Sequence, residues 1–82
     1  MIKFKPAALR ELEKLPRNIQ KRIAVKIEAL QDDPFPSGCK KLAGEPNIWR
    51  LRVGDYRVIY QVHRNVLLIL VLTNGHRREV YR

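Results

Sequence analysis

Cysteine and histidine are too scarce in this sequence for the commonest cross-links and metal sites. The single cysteine, Cys39, cannot form an internal disulfide, and the two histidines, His63 and His76, give no metal-ligand spacing. We therefore expect neither a metal ion nor another cofactor. Cys39 follows a segment rich in proline and glycine and has no base near it in the sequence, so we interpret it as an ordinary loop residue.

Long apolar segments are also missing. The longest apolar run, Val66 to Leu72, is far too short to cross a bilayer, and the first fifteen residues lack the uninterrupted apolar stretch of a secretion signal. We expect a cytoplasmic protein with no membrane partner. The sequence also lacks a glycine-rich phosphate loop, a Ser-His-Asp set and paired carboxylates, which argues against a kinase, an esterase or a glycosidase.

Acidic residues are outnumbered. The chain has 82 residues, with 17 Lys and Arg against 8 Asp and Glu, a formal net charge of +9 and a pI near 10.3. A small protein with this excess of positive charge is expected to bind a polyanion, and nucleic acid is the first candidate. We expect residues 1–82 to form a single domain, because a chain of this length supports one core.

The apolar pattern predicts an α+β fold. Residues 1–4 suit an edge strand, and apolar residues then recur with helical spacing in two segments, the first between Pro6 and Pro16 and the second ending before Pro34. A loop rich in proline and glycine follows at residues 32–47. Three strands complete the order β-α-α-β-β-β, with a possible further strand at Val80-Tyr81. We expect an N-terminal helical hairpin packed on a small antiparallel β-sheet.

Residues 49–60, WRLRVGDYRVIY, are typical of a β-hairpin. Apolar residues alternate with arginines on both sides of Gly54-Asp55, as in two strands joined by a two-residue turn. This turn places Arg52 opposite Arg57, with Arg50 on the same face. The opposite face carries the residues that we expect in the core, namely Trp49, Leu51, Val53, Tyr56, Val58 and Tyr60.

The three arginines form either a solvated sheet face or a binding site. Directly opposed like charges destabilise a sheet, and violations of local consistency are expected at functional sites. Planar guanidinium donors suit a phosphodiester, whose negative charge grows during strand cleavage. We therefore interpret Arg50, Arg52 and Arg57 as a phosphate-binding cluster.

Other candidate residues lie in turns and in the C-terminal segment. His63 falls in the predicted turn HRN and is interpreted as merely exposed, whereas His76 precedes Arg77-Arg78 and is either a turn residue or a proton acceptor. Tyr81 is either an ordinary strand aromatic or a group that stacks on a nucleotide. The loop residues Lys40 and Lys41 are expected to contact backbone phosphates.

These segments together resemble one family. KKLAGEPNIWRLRVGDYRVIYQV at residues 40–62, GHRREVYR at 75–82 and LRELEKLP at 9–16 closely resemble the RelE/ParE toxin superfamily of prokaryotic toxin-antitoxin systems. The resemblance spans nearly the whole chain and implies a RelE-like fold. RelE-type members are ribosome-dependent endoribonucleases that cut mRNA in the ribosomal A site without a metal, whereas ParE-type members poison DNA gyrase.

The resemblance also implies roles for individual residues. The family's catalytic basic positions fall on Arg50, Arg52, Arg57 and Arg77, and its catalytic tyrosine falls on Tyr81. The best-known RelE pattern has lysines at positions 50 and 52, one of which can accept a proton, whereas arginine cannot. Related toxins use a histidine near this segment, so His76 becomes the leading candidate for the general base, with Tyr81 as the alternative.

The resulting expectation is an mRNA interferase. Arg57, Arg77, His76 and Tyr81 are the expected catalytic residues, and the expected phosphate-binding residues are Arg50, Arg52, Arg78, Lys40 and Lys41. The expected partners are the ribosome with its mRNA and a cognate acidic antitoxin, through which the toxin would reach DNA only indirectly. A gyrase poison without nuclease activity and a non-catalytic RNA-binding module remain as alternatives.

Overall fold

A computed structural model of the protein describes residues 1–42, 44 and 46–74. The elements of this part of the chain are, in order, β1 (Ile2–Phe4), α1 (Pro6–Glu13), α2 (Arg17–Asp32), β2 (Lys40–Lys41), β3 (Ile48–Val53), β4 (Tyr56–His63) and β5 (Val66–Asn74).

A proline lies at the start of each of the two helices. Pro6 lies in the first turn of α1, where its missing N–H costs no helical hydrogen bond, and Pro16 is the residue that precedes α2. The side-chain amide of Gln20 donates a 2.8 Å hydrogen bond to the Leu15 carbonyl, which ties α2 to the connection. The predicted helical hairpin is therefore confirmed. Neither helix has the length and apolar character needed to span a lipid bilayer.

The strands form one mixed sheet in the order β1-β5-β4-β3-β2. The pairs from β2 to β5 are antiparallel, and β1 pairs in parallel with β5. The expected α+β architecture is confirmed, and the described sheet differs from the expected antiparallel one by this parallel pair. The Leu67 N–H donates to the Met1 carbonyl and the Lys5 N–H to the Ile69 carbonyl, both at 2.8 Å, which fixes β1 against β5.

The core lies between the helices and one face of the sheet. Helix α2 contributes Ile23, Ile27 and Leu30, spaced so that they lie on one side of the helix and all at most 2% exposed. The sheet contributes Leu51, Val53, Val58, Tyr60, Leu67, Ile69 and Leu72. All the core residues that the hairpin pattern predicts lie on this face, with Trp49 and Tyr56 partly buried at its border.

Tyr60 connects the sheet to the loop after α2. Its side chain is fully buried, and its hydroxyl donates a 2.7 Å hydrogen bond to the Pro34 carbonyl. Burial raises the pKa of Tyr60 far above its ordinary value, and Cys39 and then Asp33 raise it further. The phenol therefore remains protonated, and the hydrogen bond persists, at every physiological pH.

Two details of the predicted loops need correction or completion. Lys40 and Lys41 do not lie in an irregular loop but form the short strand β2, because their backbones pair with Arg50 and Trp49. The turn between β4 and β5 contains two residues, Arg64 and Asn65, so His63 is the last residue of β4. The possible strand at residues 80–81 lies outside the described residues.

Candidate nucleic-acid interface

The β3–β4 hairpin has the predicted register. Arg52 pairs with Arg57 across the two strands, and Arg50 pairs with Ile59. The turn begins at Gly54, whose φ of +58° lies in the left-handed region that favours glycine. Because paired residues point to the same side, the three arginines share the face of the sheet opposite to the core. We call this surface the arginine face.

The guanidinium groups of the arginine face have no partners in the described structure. Arg52 is exposed, and Arg50 and Arg57 are partly buried. None of the three makes a hydrogen bond or an ion pair with another described residue. Residues two positions apart on a strand lie about 6.6 Å apart, so Arg50 and Arg52 are neighbours on the same face of β3. The surface therefore offers several unpaired donors to a polyanion.

The two lysines of β2 separate onto opposite faces. Lys40 pairs with Arg50 and so extends the arginine face, whereas Lys41 pairs with Trp49 and lies on the other side. Of the two lysines predicted to bind phosphate, the structure brings Lys40 to the arginines and places Lys41 apart from them.

Strand β5 adds a polar residue that the sequence interpretation missed. Thr73 pairs with Arg57, so the row Arg52, Arg57 and Thr73 crosses three adjacent strands on the arginine face. The Thr73 hydroxyl is buried and has no hydrogen-bond partner in the described part of the chain. The available signal was that Thr73 is the first polar residue after seven apolar ones in β5.

A further guanidinium reaches the hairpin turn from α2. A Cβ atom at Gly54 would lie 3.2 Å from a terminal nitrogen of Arg22, so Arg22 packs against the turn. Since this atom is the end of a flexible side chain that can shift, the positive φ remains the main reason for glycine at position 54.

The structure places one of the two histidines, His63, and the other, His76, lies outside the described residues. His63 ends β4 and is exposed, six residues along the strand from Arg57 and so roughly 20 Å away, which excludes it from the cluster. His76 lies outside the described residues, as do Arg77, Arg78 and Tyr81. The described chain ends at Asn74, which pairs with Tyr56 beside Arg57.

No metal centre is evident in the described part of the chain. Among residues 1–42, 44 and 46–74, no three His, Cys, Asp or Glu side chains come together in a way that could hold a metal ion.

Comparisons with known proteins identify the family to which the chain belongs. The family model for the ParE toxin of type II toxin-antitoxin systems, parDE, matches residues 2–81. A protein of Escherichia coli described as a RelE-like toxin is 37% identical over 81 residues, which cover 95% of this chain and 83% of that protein. Toxin RelE3 of Methanocaldococcus jannaschii is 29% identical over 82 residues, covering 95% of this chain and 91% of that protein.

Solved structures share the fold. A chain of the archaeal RelE-RelB complex from Pyrococcus horikoshii superposes with a TM-score of 0.81 at 31% identity, covering 94% of this chain and 96% of that chain. The protein is thus a toxin of a type II toxin-antitoxin system, and it belongs to the ParE toxin family within the RelE/ParE superfamily.

Proposed function

We propose that the protein is a ribosome-dependent endoribonuclease that cleaves mRNA in the A site and thereby inhibits translation in the cytoplasm. The observation that carries this proposal is the arginine face, where Arg50, Arg52 and Arg57 lie together without partners among the described residues. A fold has no structural reason to oppose two arginines directly. A bound phosphodiester would neutralise both.

The chemistry we propose uses the nucleophile of the RNA itself. The ribose 2′-hydroxyl attacks the adjacent phosphate, and the products carry a 2′,3′-cyclic phosphate and a 5′-hydroxyl. The protein must hold the nucleotide in line, remove one proton, supply another and neutralise the charge of the phosphorane. No metal ion is required for these tasks when fixed cations surround the phosphate.

Each residue of the cluster has a separate task in this scheme. Arg57 and Arg77 neutralise the growing negative charge, while Arg50 and Arg52 bind and orient the neighbouring phosphates. Lys40 extends this surface toward the sheet edge, in line with Arg50. Arg78 adds a further phosphate contact.

Proton transfer falls to the C-terminal segment. Arginine cannot exchange a proton near neutral pH, so Arg50 and Arg52 cannot replace a lysine base. His76 is the proposed general base, and Tyr81 stacks on a base and donates or relays the second proton. Both residues follow β5, whose last described residues lie beside Arg57.

The test is cleavage of mRNA on translating ribosomes. We expect the purified protein to produce new mRNA 5′ ends at A-site codons, each bearing a 5′-hydroxyl. Arg57→Gln should abolish cleavage. Arg10→Gln, which removes an exposed arginine from α1, is the matched control and should cleave normally. Cleavage by both variants at the wild-type rate would contradict the proposal.

The family model supports a second candidate, a ParE-type gyrase poison. A gyrase poison would leave mRNA on ribosomes intact and would instead inhibit supercoiling by purified gyrase. We favour the nuclease because the positions of Arg57, Arg77 and Tyr81 match the RelE-type catalytic pattern. A non-catalytic RNA-binding module would bind ribosomes but would neither generate 5′ ends nor inhibit gyrase, so these two assays separate all three functions.

We further propose a cognate antitoxin that covers the arginine face with an acidic, amphipathic segment. Solved relatives include complexes of RelE with RelB, from Pyrococcus horikoshii and from E. coli. The net charge of +9 favours an acidic partner, and contact of this kind weakens with salt. DNA would be reached only through the antitoxin. Expression of the wild-type chain alone in high yield, without a growth defect, would contradict this proposal.

A further inference from the structure

Among the described residues of the arginine face, only Thr73 has a hydroxyl group that is both buried and without a hydrogen-bond partner. It lies near the end of β5 and pairs with Arg57. Its Oγ1 atom has almost no contact with solvent and makes no hydrogen bond with residues 1–42, 44 or 46–74. Strand β1 pairs only with Leu67, Leu68 and Ile69, so among the described strands β4 alone lies beside Thr73.

A threonine here is a poor choice for stability alone. Valine has nearly the same shape, is at least as favourable in a strand, and leaves no hydroxyl to desolvate. Buried polar groups without a partner are rare enough in native proteins that each one needs an explanation. The buried hydroxyl therefore indicates a partner that the described residues do not supply in the RNA-free arrangement.

Arg57 is the complementary group beside it. A guanidinium has five N–H donors and no acceptor, and a hydroxyl oxygen accepts hydrogen bonds. Directly opposed residues have Cβ atoms about 5 Å apart, which is within reach of an arginine side chain that rotates about its own bonds. Arg57 is itself partly buried and without a hydrogen bond among the described residues. An unused donor and an unused acceptor thus occupy neighbouring positions of one face.

We propose that Thr73 is a positioning residue, whose hydroxyl accepts a hydrogen bond from the Arg57 guanidinium when RNA is bound. Because Oγ1 is shielded from solvent, the hydroxyl acts through Arg57 and does not touch the RNA. It holds the planar guanidinium so that its remaining donors face the phosphate. This inference rests on the proposed nuclease function, since that function assigns Arg57 to the phosphate.

Two conservative variants test the hydroxyl separately from the packing. Thr73→Val keeps the shape and removes the hydroxyl, whereas Thr73→Ser keeps the hydroxyl and removes a methyl group. We expect Thr73→Val to slow single-turnover cleavage on saturated ribosomes by at least about tenfold, as expected for loss of a hydrogen bond to a charged group. Thr73→Ser should retain most of the rate, and thermal unfolding should show Thr73→Val to be at least as stable as the wild type.

A double variant shows whether the effect passes through Arg57. In an Arg57→Lys background, which lacks the planar fork, Thr73→Val should produce little further loss of rate. An equal loss in both backgrounds would overturn the inference, as would a wild-type rate for Thr73→Val in a protein that cleaves mRNA. These outcomes leave the proposed nuclease function intact.

A binding experiment tests the hydrogen bond between Thr73 and Arg57 even if the protein does not cleave mRNA. A 2′-O-methyl RNA trinucleotide cannot be cleaved by 2′-hydroxyl attack and is titrated into the isolated toxin. The guanidinium N–H resonances of Arg57, identified by their loss in Arg57→Lys, should become protected from exchange in the wild type and in Thr73→Ser but not in Thr73→Val. Equal protection in the wild type and Thr73→Val, or none in either, would overturn the inference whether or not the protein cleaves mRNA.

Discussion

The opposed pair Arg52 and Arg57 should measurably destabilise the free toxin. If their charge centres lie about 7 Å apart, the repulsion is about 0.6 kcal/mol in bulk water and about 2.4 kcal/mol at an effective dielectric constant of 20. Arg52 is exposed, so solvent screening favours the lower end of this range. We expect an interaction energy of about 0.6 to 1 kcal/mol that disfavours the folded state.

A double-mutant cycle isolates the interaction energy between Arg52 and Arg57. Arg57 is partly buried, so Arg57→Gln alone also changes the packing of its aliphatic stem, and the cycle with Arg52→Gln cancels that contribution. Urea is uncharged, which allows the same unfolding experiment at low and high salt. Trp49 is the only tryptophan of the chain and lies in β3, so its fluorescence reports unfolding of the sheet.

Salt gives the repulsion a characteristic signature. The Debye length is about 30 Å at 0.01 M and about 3 Å at 1 M, so a 7 Å interaction retains about 80% of its strength at the lower concentration and about 10% at the higher. The coupling energy should therefore nearly vanish in 1 M salt. A control cycle that combines Arg57→Gln with Arg10→Gln, on α1, should show no coupling at either concentration. A coupling of zero or of attractive sign at 0.01 M, or one that is unchanged at 1 M, would refute the reasoning.

Three further predictions concern the core, the turn and the proton-transfer residues. Tyr60→Phe removes the hydrogen bond to Pro34 and should lower the free energy of unfolding by about 1 kcal/mol at pH 7. Because burial raises the pKa of Tyr60, the wild type loses stability as the pH rises past about 10, where the phenol of the unfolded chain ionises. The difference in free energy of unfolding between the wild type and Tyr60→Phe should therefore narrow above this pH. A difference that stays constant in urea unfolding from pH 7 to 11 would contradict this expectation. Gly54→Ala should cost about 1 to 2 kcal/mol because of its positive φ, and an unchanged unfolding midpoint would exclude strain at this turn. His76→Gln should slow single-turnover cleavage by about 10²- to 10⁴-fold and flatten the acid limb of the pH profile, whereas Tyr81→Phe should cost at most about a hundredfold. If His76→Gln cleaves like the wild type with the same pH profile, His76 is only a turn residue.

The hairpin was predictable because all its signals are local. The alternation of period two assigns each residue to a face, and the Gly54-Asp55 turn fixes which residues are opposed. Together they gave the correct pairing of Arg52 with Arg57 without any knowledge of the remaining fold.

The pairing of β5 could not be predicted in the same way. Its residues are apolar at seven successive positions, so alternation assigns no face to them. The ladder between β4 and β5 also shifts between Ile59 and Tyr60, which pair with Val71 and Ile69, and such a bulge has no clear local signal here. The parallel contact of β1 with β5 joins residues 65 positions apart in the sequence, such as Ile2 and Leu67, and it depends on the whole fold.

The role proposed for Thr73 depends on the sequence and on the strand pairing in the structure. In the sequence it is a β-branched residue at the end of a strand, a position where threonine is common. Only the cross-strand register places it beside Arg57, and only its buried, unpartnered hydroxyl distinguishes it from a valine.

The short length of the two outermost strands of the described sheet affects how readily two copies of the toxin can pair through them. β1 has three residues and β2 has two, whereas the strands between them have six, eight and nine. Two copies that paired through β1 or through β2 would gain at most two or three ladder positions from that strand, and the lysines of β2 would repel each other. Pairing of two free toxin molecules through β1 or β2 is therefore disfavoured, and Lys40 and Lys41 contribute to this protection at the β2 edge.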